Sequence, residues 1–389
     1  MKVCLTGATG FIGRYVLERL LARDDEVVVL ALPETIEQLP HRDRVQVVAA
    51  SLEDPDALAE ATREAEVVYH LAALLPGSEP GDLFRVNVDG TENLLRASPE
   101  GVRFVFTSSA AVYRPAPWPF MWPITEDHPQ AAYANEGLRS YGQSKIDAEQ
   151  RILRVHDERG LEYVILRPTA TYGPGAQYAE RLLQHATRPW GGWAPGAGWG
   201  MPPRLQPGDL AEEYGVLQSV HARDLADAVV RAGTVPEAAN EVINVAGGEV
   251  FAPQQVAAAV WQTLAPASTP YLPPYGGDSA GPHGQGPPGF HRGGLAGPHR
   301  PGLASAYRQG IAGSHRQRLA GRYRPKFDIS KAERVLGYTP QVSLREGLEE
   351  MVSEARERWG GSSGWMAWWP WTPRGAASWS GDPTETSGA

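Results

Sequence analysis

Tyr141 and Lys145, in the segment Tyr141-Gly142-Gln143-Ser144-Lys145, are the pair of side chains on which proton chemistry could be built. Four residues apart, they fall on one face of a helix. A free tyrosine titrates at about 10 and is a weak base at neutral pH, but a nearby ammonium favours the phenolate and is expected to lower that value. Ser109, in Thr107-Ser108-Ser109-Ala110-Ala111-Val112-Tyr113, can add a hydroxyl that holds a substrate oxygen. The three together could pass the proton of an alcohol while a hydride moves to or from a nicotinamide ring. Many helices carry a Tyr and a Lys at this spacing, so the pair acquires meaning only from the elements that position it.

The first of those elements is the turn Thr6-Gly7-Ala8-Thr9-Gly10-Phe11-Ile12-Gly13. It follows the apolar run Val3-Cys4-Leu5 and precedes the amphipathic segment Tyr15 to Leu21, so it joins a first strand to a first helix. Gly7 permits the tight turn, Gly10 lets the backbone approach a phosphate, and Gly13 lets the helix pack against the strand. The free N–H groups around Phe11 and Ile12 would then face a pyrophosphate. Val27 to Leu32 reads as a second strand covered on both faces. Its exit holds Ala31, Leu32 and Pro33 in place of the acidic residue that would bind ribose hydroxyls, with Glu34 the nearest carboxylate. No Arg or Lys follows at once, which favours NAD while leaving NADP open.

Val45 to Ala49 reads as a third strand, with a helix from Glu53 to Arg63 after it. Between them Ser51 and Leu52 stand where a side chain could touch the adenine edge, or where Ser51 could simply cap the helix. Val67 to Ala73 is the fourth strand, and the small residues around Leu71, Ala72 and Ala73 suit a backbone lying against a flat ligand or tight packing. A helical pattern runs from Leu83 to Ala97, a fifth strand from Val102 to Thr107, a long helix from about Gly137 to Glu158, and a sixth strand from Glu162 to Leu166 before Arg167-Pro168-Thr169. This alternation predicts an α/β fold, a Rossmann-type doubly wound parallel sheet with its ligand beyond the carboxyl ends of the strands.

With 389 residues the chain can bury a large core, and its 42% hydrophobic share is ordinary. A net charge of -9 argues against nucleic acid or an acidic membrane as a general partner. Cys4 is the only cysteine, which excludes an intrachain disulfide or a thiolate cluster, and no metal is expected. A strand that begins at once leaves no room for a signal segment, and no apolar run reaches membrane-spanning length, so cytoplasmic residence is the expectation.

Beyond Gly175 the composition changes. Trp190 to Gly208 is rich in Gly, Pro and Trp; a short helix near Arg223 to Ala232, a strand near Val242 to Val245 and a helix from Pro253 to Leu264 follow. Pro270 to Arg324 has neither helical nor strand period, and it is expected to be irregular or mobile and to stay outside the catalytic core. Its histidines, His283, His291, His299 and His315, lack carboxylates at ligand spacing. Phe327 to Gly337 reads as a capped helix ending at glycine, and Ser343 with Glu346 makes a capping box for a helix from Leu344 to Trp359. The expected division is a dinucleotide-binding domain over 1–175 with returns near 215–250, a smaller interleaved C-terminal substrate domain over 176–214 and 251–359 with the insert 270–324, and a Trp/Gly/Pro-rich tail over 360–389.

The glycine turn, His70-Leu71-Ala72-Ala73, Asn87-Val88-Asp89-Gly90-Thr91, Thr107 to Tyr113, Tyr141 with Lys145, Leu166-Arg167-Pro168-Thr169 and Tyr172-Gly173-Pro174-Gly175 occur in this order. In them the chain resembles the extended short-chain dehydrogenase/reductases of the NAD-dependent epimerase/dehydratase family; Val220 to Ala226 and Phe327 to Gly337 extend the likeness. The resemblance implies Tyr141 as catalytic acid/base, Ser109 as substrate-orienting hydroxyl and Lys145 on the nicotinamide ribose. It places Gly7, Gly10, Phe11, Ile12, Gly13, Ala31, Ser51, Leu52, Leu71, Ala72, Ala73, Asn87, Thr107, Tyr141, Lys145, Pro168 and Thr169 along the cofactor, with Asn87 positioning the pocket. The chain departs from the pattern in lacking the acid after the second strand, in Ser51 where Asp is usual, and in the glycine-rich stretches.

A 4,6-dehydratase is disfavoured because Ser108-Ser109 replaces the Asp-Glu pair of that group. A nucleotide-sugar epimerase using NAD is the leading reading, with a small-molecule substrate. A reductase or dehydrogenase of a small carbonyl or steroid-like alcohol is second, and a non-catalytic cofactor-binding protein third. The resemblance also implies a homodimer built on the helices beginning near Leu83 and Gly137.

Overall fold

Strands whose residues are apolar on both faces need helices on both faces, and this requirement shapes the molecule. The computed structural model describes residues 1–113, 123–131, 136–176, 218–249 and 327–358. Seven strands form one parallel sheet: β1 (Lys2–Thr6), β2 (Glu26–Ala31), β3 (Gln46–Ala49), β4 (Val67–His70), β5 (Arg103–Thr107), β6 (Glu162–Pro168) and β9 (Glu241–Val245). Their spatial order is β3-β2-β1-β4-β5-β6-β9, so the winding reverses between β1 and β4. A ligand crevice opens at such a reversal, outside the carboxyl ends of the strands. The register brings those ends level, with Thr6 beside both Leu30 and His70, and Thr107 beside Leu166. β7 (Thr171–Tyr172) and β8 (Val220–His221) make a small separate parallel pair.

Alternate side chains of β1 enter different cores. Val3 and Leu5 join Val29, Tyr69 and Val105 beneath α1 (Phe11–Leu21) and α6 (Ala222–Thr234). Cys4 joins Val68 and Phe104 beneath α2 (Pro55–Thr62), α4 (Gly90–Ala97) and α5 (Glu136–Arg159). Burial raises the Cys4 thiol to about 12, so this cysteine is an inert packing group. α6 lies so close to the sheet that a Cβ on Gly233 would meet the Tyr69 hydroxyl at 2.1 Å.

Most element bounds shift by a residue or more, and three of the shifts have a clear local cause or consequence. The helix expected from Glu53 begins at Pro55, because Asp54 caps it by accepting the Ala57 N–H at 3.1 Å. The fourth strand ends at His70 rather than Ala73, since Leu71 and Ala72 turn to hydrogen-bond Thr6. The helical stretch before Ala97 starts at Pro80 and runs as α3 (Pro80–Phe84), one wider π turn over Arg85–Asp89, and α4. The strand at Val242 is the seventh strand of the main sheet, paired with β6.

At the C-terminal end, α7 (Ser330–Leu336) stops at Gly337, whose φ of +61° suits glycine. The Asp224 carboxylate of α6 accepts the Gln341 and Val342 N–H groups at 3.1 Å each, tying the next segment down. Ser343 and Glu346 form the capping box of α8 (Leu344–Arg358): Glu346 Oε2 accepts the Ser343 N–H at 2.9 Å and Ser343 Oγ accepts the Glu346 N–H at 3.3 Å. The readings of Trp190 to Gly208, Pro253 to Leu264, Pro270 to Arg324 and the tail from Gly360 lie outside the described residues. Among the described residues no helix is long and apolar enough to cross a membrane, and no three His, Cys, Asp or Glu side chains group as metal ligands.

Candidate active site

β1 delivers Thr6 and Gly7 to the reversal point of the sheet. Gly7 has φ +76°, and a Cβ there would lie 2.7 Å from the Ala72 nitrogen, so only glycine fits between this turn and the exit of β4. A Cβ on Gly13 would come within 2.0 Å of the Gly7 carbonyl oxygen. The turn closes through the Gly10 N–H on the Gly7 carbonyl at 3.0 Å. Gly10 brings no side-chain cap to α1, and the first turn, from Phe11 and Ile12 onward, holds no acidic residue, so the helix dipole there is available to an anion. Across the crevice, the buried hydroxyls of Thr107 and Thr169 have no hydrogen-bond partner among the described residues. A cradle of glycine backbone at one side and two unpaired hydroxyls at the other fit a dinucleotide cofactor, which carries both an anionic bridge and polar ring edges.

Lys145 and Tyr141 reach the same edge from α5. Lys145 is 3% exposed; its Nζ donates to the Thr107 carbonyl at 2.9 Å and lies 4.6 Å from the centre of the Phe106 ring. Burial lowers its pKa to about 8, opposed by the Glu149 carboxylate one helical turn on. The Ser109 hydroxyl lies beside the Tyr141 phenol and favours its phenolate. Ser109 Oγ accepts the Ala111 N–H at 3.1 Å, which leaves its own proton to point at the phenol.

The expectation that Lys145 lowers the Tyr141 pKa is corrected here. Desolvation raises Tyr141 to about 12, and the contribution that opposes this comes from Ser109. The ammonium is engaged by Thr107 and Phe106 instead.

Asn87 sits buried in the π turn. Its Oδ1 accepts the Leu74 N–H at 2.8 Å, while Nδ2 donates to the Leu74 carbonyl and to Ser144 Oγ, both at 3.1 Å. Ser144 Oγ in turn donates to the Tyr141 carbonyl at 2.8 Å, so the amide clamps the loop after Ala73 to the helix that carries the tyrosine. His70 links this clamp to the glycine turn, with Nδ1 2.7 Å from Thr6 Oγ1 and Nε2 2.9 Å from Thr91 Oγ1. Thr91 gives its proton to the Asn87 carbonyl at 2.7 Å, and Thr6 Oγ1 accepts the Ala72 N–H at 3.1 Å. This pattern assigns the imidazole proton to Nε2. Burial keeps the ring neutral, its pKa lowered to about 3.

The remaining residues scatter along the same edge. Ala31 ends β2 in a buried position, followed by Leu32, which is 43% exposed. Ser51 Oγ accepts the Glu53 N–H at 3.2 Å, so it shapes the turn before α2 and is not its cap. Leu52 packs inward against Gly90. Pro168 ends β6, and the Thr169 N–H donates to the Val245 carbonyl at 2.9 Å. Reading motif by motif missed the buried Glu149 and Arg167, although Glu149 stands four residues after Lys145 and Arg167 within the quoted Leu-Arg-Pro-Thr. Their signal was a charge in a position that must be buried.

The model of the NAD dependent epimerase/dehydratase family matches residues 3–246, from β1 to the residue after β9. The chain belongs to that family. Within it, the chain is 30% identical over 260 residues to UDP-glucose 4-epimerase of Vibrio cholerae, covering 64% of this chain and 71% of that protein. It is 33% identical over 188 residues to ceramide reductase of Caulobacter vibrioides, covering 48% and 51%. Against that reductase the chain spans about half the length, and less against other curated relatives such as a UDP-glucuronic acid decarboxylase of Arabidopsis thaliana. The fold matches the Thermus thermophilus UDP-glucose 4-epimerase, solved with NAD, at a TM-score of 0.61 and 24% identity, covering 91% of this chain and 98% of that one.

Proposed function

We propose that this family member is an NAD-dependent epimerase that inverts a carbinol carbon of a nucleotide sugar through transient hydride transfer. The observation that carries the reading is Ser109 beside Tyr141, with buried Lys145 donating to the Thr107 carbonyl, on the sheet edge that also holds the glycine cradle. The sugar-nucleotide epimerase among its relatives, matched over most of its length, supports that substrate class. When bound, the nicotinamide supplies the hydride acceptor and donor. Ser109 holds the carbinol oxygen, and Tyr141 exchanges that oxygen's proton in each direction. Lys145 and Thr169 would hold the nicotinamide end, while Gly7, Gly10 and the start of α1 would hold the pyrophosphate. Two basic side chains that could have welcomed a 2'-phosphate are engaged elsewhere, Arg42 with Glu37 at 2.9 Å and Arg44 with the Leu21 carbonyl at 3.2 Å, which supports NAD over NADP.

A reductase of a carbonyl substrate is the second reading, since it uses the same three residues. A Tyr141 pushed up to about 12 holds its proton at neutral pH and is set to donate it to a carbonyl oxygen. The test separates the two. The purified protein is assayed for retained NAD and offered a panel of UDP-sugars without added cofactor. Isomerised sugar with no net change in cofactor absorbance is expected; consumption of NAD(P)H in step with a carbonyl substrate, and no isomerised sugar, would replace the epimerase with the reductase.

A further inference from the structure

The site rests on a second layer of charge. Glu149, 2% exposed, lies one turn beyond Lys145 on α5. Its carboxylate is held bidentately by Arg167 of β6, with Nε at 3.0 Å from Oε1 and Nη2 at 2.6 Å from Oε2. The same two oxygens accept Ser108 Oγ and Gln130 Nε2, each at 2.5 Å. Arg167 Nη1 reaches the Tyr113 hydroxyl and the Glu126 carbonyl, both at 3.1 Å, and Tyr113 donates to Asn244 Oδ1 at 2.5 Å. One carboxylate therefore gathers the residue before Ser109, the loop after β5, the strand β6 and the helix of Tyr141 and Lys145.

A buried ion pair is a weak means of stabilising a fold, because desolvation offsets most of its attraction. A negative charge one turn from a buried ammonium has a different use. We propose that Glu149 is a positioning residue of the active site, whose carboxylate fixes the Ser108-Ser109 exit from β5 and keeps the Lys145 side chain in its charged form. The inference rests on the proposed roles of Ser109, Tyr141 and Lys145, and it deepens that reading by naming what sets their state. The other groups facing Lys145 supply no competing negative charge: from β4 the neutral His70, and from β5 the Thr107 carbonyl and the Phe106 ring. Arg167 is occupied by Glu149 itself.

Four lysines, Lys2, Lys145, Lys326 and Lys331, make the test direct. In protein labelled with ¹³C at the lysine Cε, the Lys145 resonance, assigned by its loss in Lys145→Met, is followed by NMR through a pH titration. The wild-type midpoint is expected near 8. Glu149→Gln should lower it by about 1 pH unit, the usual effect of removing an adjacent opposite charge, whereas Glu149→Asp, which keeps the charge, should lie between them. Where an assay responds, the alkaline limb of kcat/KM should move with the NMR midpoint. Should Glu149→Gln fail to fold because Arg167 is left unpaired, the double variant Glu149→Gln with Arg167→Gln is compared with Arg167→Gln alone, so that the loss of the Arg167 charge is common to both and a lower midpoint in the double variant reads the Glu149 charge by itself. An unchanged Lys145 midpoint in the folded variant overturns the proposal. The titration needs no substrate, so a negative UDP-sugar panel would count against the epimerase reading and leave this result standing.

Discussion

In the proposed reaction Tyr141, Ser109 and Lys145 would divide the labour of one proton, and the environment of each follows from what surrounds it. Tyr141→Phe deletes the proton-transfer group while leaving the glycine cradle intact. The expected result is a rate loss of about 10²- to 10⁴-fold with cofactor affinity nearly unchanged, read by steady-state kinetics and by NADH fluorescence titration. Full activity in that variant would discard the mechanism even with the fold correct. His70 yields a prediction in stability. Its pKa falls from 6.5 in the unfolded chain to about 3 in the fold. Between those values the unfolded chain binds a proton that the native one refuses, so this contribution is present above 6.5 and is lost as pH falls toward 3. Urea denaturation at pH 7 and pH 5 should show wild type losing about 2 kcal/mol more than His70→Gln, which has no titrating ring.

At the scale of elements, the close approach of α1 to its own strand turn is the feature that a side chain would break. Gly13→Ala would place a methyl group 2.0 Å from the Gly7 oxygen, and neither partner is a flexible side chain that can move aside. A loss of about 1 to 3 kcal/mol is expected in chemical denaturation, together with weakened NAD binding, because relief requires α1 to tilt away from the phosphate position. Wild-type stability in Gly13→Ala would mean that the turn is looser than its geometry. The π turn at Asn87 has a comparable role on the other side of the crevice. The extra residue swings the amide inward, where it bridges Leu74 and Ser144.

For the whole molecule, α5 bears a site on one face and an exposed Leu153, 39% accessible, on another. We propose that α3, α4 and α5 pair with those of a second copy, as the family resemblance implies. Light scattering at micromolar protein should return a dimer mass, and Leu153→Glu should shift it toward the monomer, since burying a carboxylate in an apolar seam is unfavourable. A monomer mass for wild type would remove the proposal.

Local chemistry made much of this legible in advance. Glycines at 7, 10 and 13 allow a turn and a close helix approach that side chains there would block, the continuous apolar runs of β1, β2 and β5 require a sheet covered on both faces, and Ser343 with Glu346 marks the start of α8. These are constraints that neighbours in the chain impose on one another, so the sequence alone carried them. The state of the site was a different matter. Tyr141 and Lys145 are four residues apart in any helix, yet the ammonium turned to Thr107 and the phenol to Ser109, because β5 comes up beneath α5 at that point. Glu149 and Arg167 stand 18 residues apart in the chain, and Tyr113 and Asn244 stand 131 apart, and each pair meets only when β6 and β9 join the sheet. Proton affinity in a buried site depends on desolvation and on charges brought in from other elements, and both are properties of the packed molecule that only its tertiary structure decides.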